Sequence, residues 1–153
     1  AVYRFVQRDA AFTGAEAEAI VHLHEGGDGQ FDLIFGADLV RGRDRTAAAD
    51  LPRITPVRGK VGAAWRHGAL ALGAEVQFVA QQKRVAPNET PAAAYDLISA
   101  YANYRLRHGA VTWDLFIRGS NLGDREARLH TSWLKDLAPL PGRDVTAGVR
   151  VTF

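Results

Sequence analysis

The sequence predicts an all-β fold, an antiparallel meander of about eight amphipathic strands. Apolar and polar residues alternate along most of the 153 residues, and short Gly-containing turns alternate with long polar loops. Hydrophobic residues make up 47% of the chain, yet no apolar run approaches the roughly 18 residues that a helical membrane span needs. These patterns indicate a sheet with one apolar face and one polar face.

The N-terminal third contributes three predicted strands, of which 2–8 (VYRFVQR) is the weakest. In the second, 14–24, Ala, Val and Leu alternate with Gly, Glu and His. The Ala and Glu content of AEAEAIVHL also suits a helix, but the alternation favours a strand. In the third, 31–40, Phe, Leu and Ala alternate with Asp and Gly, with Ile34 and Val40 as exceptions.

Five further strands follow from the same period of two. Their apolar rows begin with Val61-x-Ala63-x-Trp65 and end with Val149-x-Val151-x-Phe153. The predicted strands are 58–66, 70–81, 98–107, 111–118 and 145–153.

The connections alternate in length. Short turns are predicted at 25–30, 66–69 and 107–110, and long loops at 43–57, 82–94 and 122–143. Tight turns at one end and long loops at the other are typical of an outer-membrane β-barrel. Lipid cannot satisfy backbone hydrogen bonds, so such strands must pair with one another and turn their apolar side chains outward. About ten residues per strand are enough to cross the hydrocarbon core at a tilt.

A soluble β-barrel binding module is an alternative that inverts the two faces. Its outer face would carry an irregular mixture of charged residues and glycines, which argues against it. Those charged residues are Glu16, Glu18, Asp38, Glu75, Arg105 and Arg118. Aromatic residues also lie near predicted strand ends, as an interfacial belt requires. They are Trp65, Phe78, Tyr104 and Trp113.

The final stretch, DVTAGVRVTF, alternates up to an aromatic last residue. It resembles the C-terminal assembly signal of bacterial outer-membrane proteins, in which Val149, Val151 and Phe153 would be recognised by the barrel-assembly machinery. More specifically, residues 95–153 resemble the end of TonB-dependent outer-membrane receptors. The matching stretches are YDLISAYANYRL, FIRGSNLGDREAR and APLPGRDVTAGVRVTF, with FTGAEAEAIVHL and LPRITPVRGKVGAAWRHG upstream.

The resemblance implies a function. TonB-dependent receptors lie in the bacterial outer membrane and import a metal chelate such as a siderophore, a metal or a similar scarce nutrient with TonB-derived energy. Their barrels have about 22 strands around a plug domain. Residues 1–153 would then be the C-terminal barrel segment, with outer-membrane lipid as a partner and the plug and TonB engaged only by the full-length protein. A self-contained eight-stranded outer-membrane barrel with a structural or adhesive role remains an alternative.

The resemblance also implies an orientation. Phe153 and the two RHG turns would lie at the periplasmic rim, and the three long loops would be extracellular. Residues of these loops are candidates for contact with the imported ligand. They are Arg84, Asn88, Glu89, His130, Trp133, Lys135 and Asp136.

Three histidines are candidate metal ligands. His22 and His24, two residues apart on a predicted strand, would lie on one face roughly 6–7 Å apart. His130 lies in the last long loop with Asp124, Glu126 and Asp136. The competing interpretation is that His22 and His24 are ordinary polar residues of the barrel lumen.

The sequence contains no clear signal for disulfides, nucleic-acid binding or catalysis. Zero Cys excludes disulfides and thiolate metal sites in this chain, and a net charge of +2 is too small to predict a nucleic-acid partner. RGRDR at 41–45 is interpreted as a solvated loop. Glu16 and Glu18 are expected to pair with Arg4, Lys60 or Arg58 on neighbouring strands. Because neither a G-x-S-x-G motif nor a phosphate-binding loop occurs, we predict no enzymatic activity and no cofactor.

Overall fold

The structure is a computed structural model that describes residues 7–153. It confirms the all-β prediction: eight antiparallel strands form one sheet, and residues 7–153 contain no helix. The strands are β1 (Ala10–Gly26), β2 (Gly29–Asp44), β3 (Ala49–Asp50), β4 (Arg58–His67), β5 (Leu70–Val79), β6 (Tyr95–His108), β7 (Val111–Ser120) and β8 (Asp144–Thr152). No helix capable of crossing a membrane occurs in this part of the chain.

The sheet is a meander in the order β1-β2-β4-β5-β6-β7-β8, and the two-residue β3 pairs with the end of β2. Tight turns join β1 to β2, β4 to β5 and β6 to β7, with Gly29, Gly68 and Gly109 at φ of 106°, 55° and 60°. These glycines supply the left-handed backbone that the turns need. Within residues 7–153, β1 pairs only with β2 and β8 only with β7, so the sheet has two edges.

The N-terminal elements differ from the prediction in extent. Most of the predicted strand 2–8 lies outside the described residues, and residues 7–9 precede β1 without forming a strand. The segment AEAEAIVHL lies within β1 and is not helical. The interpretation of 41–45 as a loop was wrong, because β2 continues to Asp44 with Arg43 opposite Ala11 of β1. Pairing with the long β1 keeps this charged stretch extended.

The register places apolar and polar side chains on separate faces, as predicted. Phe35 lies opposite Val61, Val61 opposite Val76, and Val76 opposite Ile98, so one apolar row crosses four strands. The next row runs from Glu18 through Lys60 and Gln77 and is mostly polar, with Leu97 as its apolar member. Directly opposed residues share a face, and successive residues alternate between faces. We call the two surfaces the apolar face and the polar face.

Aromatic residues of the apolar face concentrate near the tight turns. Trp65 lies opposite Phe31 and Leu72, and its ring stacks on His67 with centroids 5.9 Å apart. Tyr104 and Trp113 occupy the same end on β6 and β7, where Trp113 pairs with Leu106 and Val151. Three of the four aromatic residues that were predicted to form an interfacial belt therefore lie together at this end of the sheet. Phe78 lies at the opposite end of β5.

Two polar-face glycines accommodate aromatic rings from the adjacent strand. The Tyr101 ring lies over Gly73, and a Cβ added at Gly148 would lie 2.6 Å from Cζ of Phe116. Each ring thus covers a position that has no side chain of its own. Such packing fixes the register of β6 on β5 and of β8 on β7.

Candidate functional site in the long loops

The three long connections lie at the end of the sheet opposite the tight turns, and they contact one another. Ala80 N donates to Val57 O at 2.9 Å, and Gln82 Nε2 donates to Ile54 O at 2.9 Å. Gln82 also pairs with Ala92 across the base of its own loop. The connections 51–57, 80–94 and 121–143 therefore form a folded layer, which we call the loop layer.

Glu89 joins all three loops. Its Oε1 accepts a hydrogen bond from Arg53 N at 3.0 Å, and its Oε2 accepts one from Ala86 N at 3.1 Å. His130 Nε2 of the last loop lies 3.3 Å from the same Oε1. A nearly buried carboxylate thus bridges three segments that are distant in sequence.

His130 is buried, with 1% of its surface exposed. Although Nε2 lies close to Glu89, neither ring nitrogen has hydrogen-bond geometry to a partner within residues 7–153. Burial lowers the pKa of the imidazole below its ordinary value, and the neighbouring Glu89 carboxylate only partly opposes this shift. His130 is therefore neutral at pH 7, because its surroundings disfavour the charged form.

A second contact between loops centres on Lys135. Its buried Nζ donates to the carbonyl oxygen of Thr90 and, at 2.7 Å, to Thr90 Oγ1. Thr90 Oγ1 in turn donates to the Asp136 carboxylate at 2.8 and 2.9 Å. Arg128 Nη1 donates to Lys135 O at 2.7 Å and so fixes the backbone on which Lys135 lies. Hydrogen bonds of Thr90 with the charged Lys135 ammonium and with the Asp136 carboxylate therefore hold the last loop to the 80–94 loop.

An exposed aromatic patch lies on the same loops. Trp133 is 82% exposed, and the Arg53 guanidinium stacks over its ring. Leu134 and Leu137 are also largely exposed beside it in sequence. A ring that carries a cation on one side offers stacking, apolar contact and positive charge together.

The structure brings together most of the predicted ligand-contact residues. Glu89, His130, Lys135 and Asp136 form the two contacts described above, and Trp133 is joined to them through Arg53. The other two predicted residues lie apart from these contacts. Asn88 occupies the turn before Glu89 with a φ of 68°, and the Arg84 backbone N–H donates to Gln82 Oε1 at 3.2 Å.

Sequence reasoning missed Arg53 and Thr90. Both connect loops through contacts with residues far along the chain, and nothing in their local sequence distinguishes them from other loop residues. Leu137, the third member of the exposed apolar patch, could have been noticed because it follows Trp133 and Leu134 in an otherwise polar segment.

The structure does not place His22 and His24 on one face. A β-bulge between them leaves His22 opposite Asp32 and His24 opposite Phe31. The extra residue, Leu23, reverses the alternation that the prediction assumed. His22 Nδ1 lies 2.6 Å from Asp32 Oδ1, so this histidine already has a carboxylate partner.

The carboxylates predicted to accompany His130 have other partners. Asp124 Oδ1 accepts from Arg143 N at 2.9 Å, and Glu126 Oε1 accepts from Arg128 Nε at 2.8 Å. Across residues 7–153, no three His, Asp or Glu side chains are grouped so that they could hold a metal ion. The described residues therefore form no metal-binding cluster around His22, His24 or His130, and the role of these histidines as metal ligands stays a prediction.

The polar face carries ion pairs between adjacent strands. Lys60 Nζ lies 2.7 Å from Glu18 Oε1, as expected for one of the two predicted glutamates. Arg58 pairs instead with Asp38 at 3.0 Å, and no ion pair of Glu16 is found within residues 7–153. Charges on this face are therefore partly neutralised by neighbours, as in a polar barrel interior.

The predicted assembly-signal residues lie at the end of β8. Val149 and Val151 are on the apolar face, opposite Leu115 and Trp113. Phe153 follows the strand and is almost fully exposed. The edge of β8 that carries these residues has no partner strand within residues 7–153.

No family model matches the chain. Among solved structures, it is similar to the copper transporter OprC with a TM-score of 0.80 and 22% sequence identity. The alignment covers 93% of this chain and 23% of the length of that protein. At this identity the similarity shows the fold alone, an antiparallel sheet shared with a segment of that protein, and the chain spans less than a quarter of the protein it matches.

Proposed function

We propose that residues 1–153 form the C-terminal barrel segment of an outer-membrane transporter that imports a metal, a metal chelate such as a siderophore complex, or a similar scarce nutrient. The observation that carries this proposal is a two-faced antiparallel sheet similar to the copper transporter OprC over 93% of the chain. Because the alignment covers 23% of OprC, we assign the plug domain and the engagement of TonB to other parts of the full-length protein.

The two faces support a place in the membrane. The row from Phe35 through Val61 and Val76 to Ile98 would contact lipid, and the row that contains Lys60 and Gln77 would face the lumen. Strand pairing satisfies the backbone groups that lipid cannot. The aromatic residues near the tight turns would lie at the periplasmic interface.

The loop layer supports a role in capture. In this orientation it lies at the extracellular end of the barrel, and Glu89, Lys135 and Thr90 hold its loops together. The exposed Trp133, with Arg53 stacked on it, is a part of the layer that is open to a ligand. Stacking and positive charge suit an aromatic or anionic chelate better than a bare cation.

Two measurements on the native protein test the proposal. The first is the intact mass of the protein that ends in this sequence, purified from bacterial outer membranes. A mass several-fold above that of 153 residues is expected, since the proposal requires a larger barrel and a plug. A mass near that of the chain alone would favour the self-contained eight-stranded barrel and contradict import.

The second measurement is uptake by cells whose chromosomal copy is deleted and then complemented. Cellular copper, iron and zinc are measured after exposure to each metal, free or bound to an aromatic chelator. Wild-type complementation should restore accumulation of one of these species, and Trp133→Ala should weaken it. Leu129→Ala, a change at a less exposed apolar residue of the same loop, is the matched control. Equal uptake with and without the wild-type gene for every species would contradict the proposal.

A further inference from the structure

We infer that a cleft at the extracellular end of β2 binds the phosphate of a lipid headgroup in the outer leaflet. The cleft has a volume of about 300 Å³ and lies between the end of β2 and the segment after β5. Its cationic lining residues are Arg41, Lys83 and Arg84, and its apolar ones include Leu39, Ile54 and Val57. The inference rests on the proposed function only for the location and orientation of the barrel.

The position of Arg41 along β2 fits the headgroup level. The apolar-face row of β2 runs from Phe31 to Leu39, about nine residues, and Arg41 is the next residue in that row. A tilted strand crosses the hydrocarbon core in about 9–11 residues. The change from apolar to cationic side chains therefore falls where the hydrocarbon ends.

The strand orients this cation outward. Arg41 and Arg43 are exposed, whereas Gly42 between them and Asp44 after them are buried. A Cβ at Gly42 would meet Ile54 Cδ1 at 2.6 Å, so the loop packs against the opposite face of β2 at this height. Arg41 shares its face with Leu39, the face assigned to lipid.

The cations of the cleft are free to bind an anion. Within residues 7–153, Arg41, Lys83 and Arg84 form no ion pair within 4.0 Å of a carboxylate, and Asp50 is the one acidic residue that lines the cleft. By contrast, nearby Arg58 is paired with Asp38 at 3.0 Å. Three unpaired cations beside one carboxylate leave an excess positive charge suited to a phosphate.

The apolar lining favours a lipid over free phosphate. Leu39 is 40% exposed and Val57 is 55% exposed beside the cations. A phosphate attached to acyl chains would bring its charge to Arg41 and Arg84 and its apolar part to the neighbouring row of the strand. An isolated phosphate would gain nothing from these side chains.

Native mass spectrometry of the full-length protein in detergent tests this inference. The probes are diphosphorylated lipid A, its monophosphorylated form and inorganic phosphate. Wild-type protein should retain lipid A, and the triple variant Arg41→Ala/Lys83→Ala/Arg84→Ala should bind it at least tenfold more weakly. Leu39→Gln/Val57→Gln should also weaken the binding of lipid A, and inorganic phosphate should not displace lipid A from the wild type.

The control is Arg107→Ala/Arg118→Ala/Arg150→Ala, which removes the same charge from the polar face, away from the cleft. It should bind lipid A like the wild type. Equal binding by the wild type and the cleft variant would overturn the inference, as would displacement of lipid A by millimolar inorganic phosphate. Heat-modifiable migration on gels confirms that each variant is folded. Absence of the protein from the outer membrane would instead contradict the proposed function.

Discussion

Glu89 Oε1 lies 3.3 Å from His130 Nε2, and both side chains are nearly removed from solvent. The same carboxylate accepts backbone hydrogen bonds from Arg53 and Ala86. One side chain therefore holds together three loops whose ends are anchored on different strands. If this layer is the extracellular surface of a transporter, Glu89 determines whether the surface is ordered before a ligand arrives.

Replacing Glu89 should loosen the loop layer without disturbing the sheet. Glu89→Ala removes both backbone hydrogen bonds and the partner of His130, at a local cost of about 1–3 kcal/mol. Hydrogen exchange of residues 80–94 and 121–143 should rise, while that of β4 to β7 stays unchanged. Glu126→Ala, which removes an exposed carboxylate paired with Arg128, is the control. Unchanged exchange in Glu89→Ala would contradict the assigned role of this residue.

Acid should loosen the same loops through His130. Burial lowers the pKa of folded His130 from its ordinary value of 6.5, so the opened state binds a proton more readily than the folded one. The stabilisation is therefore complete above about pH 6.5 and is lost as the pH falls through the lower folded-state pKa. Exchange of residues 121–143, corrected for the intrinsic effect of pH, should rise between pH 7.5 and 5.

This experiment must distinguish protonation of His130 from protonation of the charged groups that face it. Glu89 and Asp136 favour its protonation, whereas Lys135 and Arg53 oppose it. In His130→Asn the acid-dependent rise should be absent above pH 5, while exchange at pH 7.5 stays close to that of the wild type. A variant that keeps the wild-type acid response would assign the response to the carboxylates instead.

The close contact between Gly148 and Phe116 should not tolerate a larger side chain at position 148. A Cβ at Gly148 would lie 2.6 Å from the Phe116 ring, so Gly148→Ala must displace the ring or the strand. We expect a loss of about 1–3 kcal/mol in unfolding free energy, measured by urea denaturation in detergent. Phe116→Leu should relieve much of this loss in the double variant. At Gly59 the nearest atom is 3.7 Å away, and Gly59→Ala should be tolerated.

Adjacent residues of β5 should respond oppositely to charge. Val76 lies on the apolar face and Gln77 on the polar face. At the bilayer midplane, an outward Arg costs about 2–4 kcal/mol. Val76→Arg should therefore reduce the assembled fraction in the outer membrane, and Gln77→Arg should have little effect. Equal assembly of the two variants would mean that the faces are wrongly assigned.

Much of the sheet could be predicted because a period of two is visible within each strand. Phe31 to Leu39 and Leu70 to Phe78 reveal their faces without knowledge of their neighbours. The bulge at Leu23 could not be found in this way. It depends on how β1 is aligned with β2, and one inserted residue moves His24 to the opposite face.

The loop layer was only partly predictable. Composition indicated that Glu89, His130 and Trp133 lie in long polar connections, and they do. Their partners were not predictable, because Arg53 and Thr90 are brought close only by the folding of the sheet between them. The role of RGRDR was missed for a similar reason. Its arginines suggested a loop, but pairing with β1 places Arg41 and Arg43 in the end of a strand.

The most direct test is to measure which face of β5 contacts lipid and which contacts water when the protein is in the membrane. The chain has no cysteine, so spin labels can be attached at Val76→Cys and, separately, at Gln77→Cys in the full-length protein reconstituted in lipid. Collisional relaxation is then measured with oxygen, which partitions into lipid, and with a water-soluble nickel complex. We expect oxygen to relax the label at position 76 more strongly and the nickel complex to reach only position 77. Equal access of the nickel complex to both positions would contradict the assignment of the apolar face to lipid.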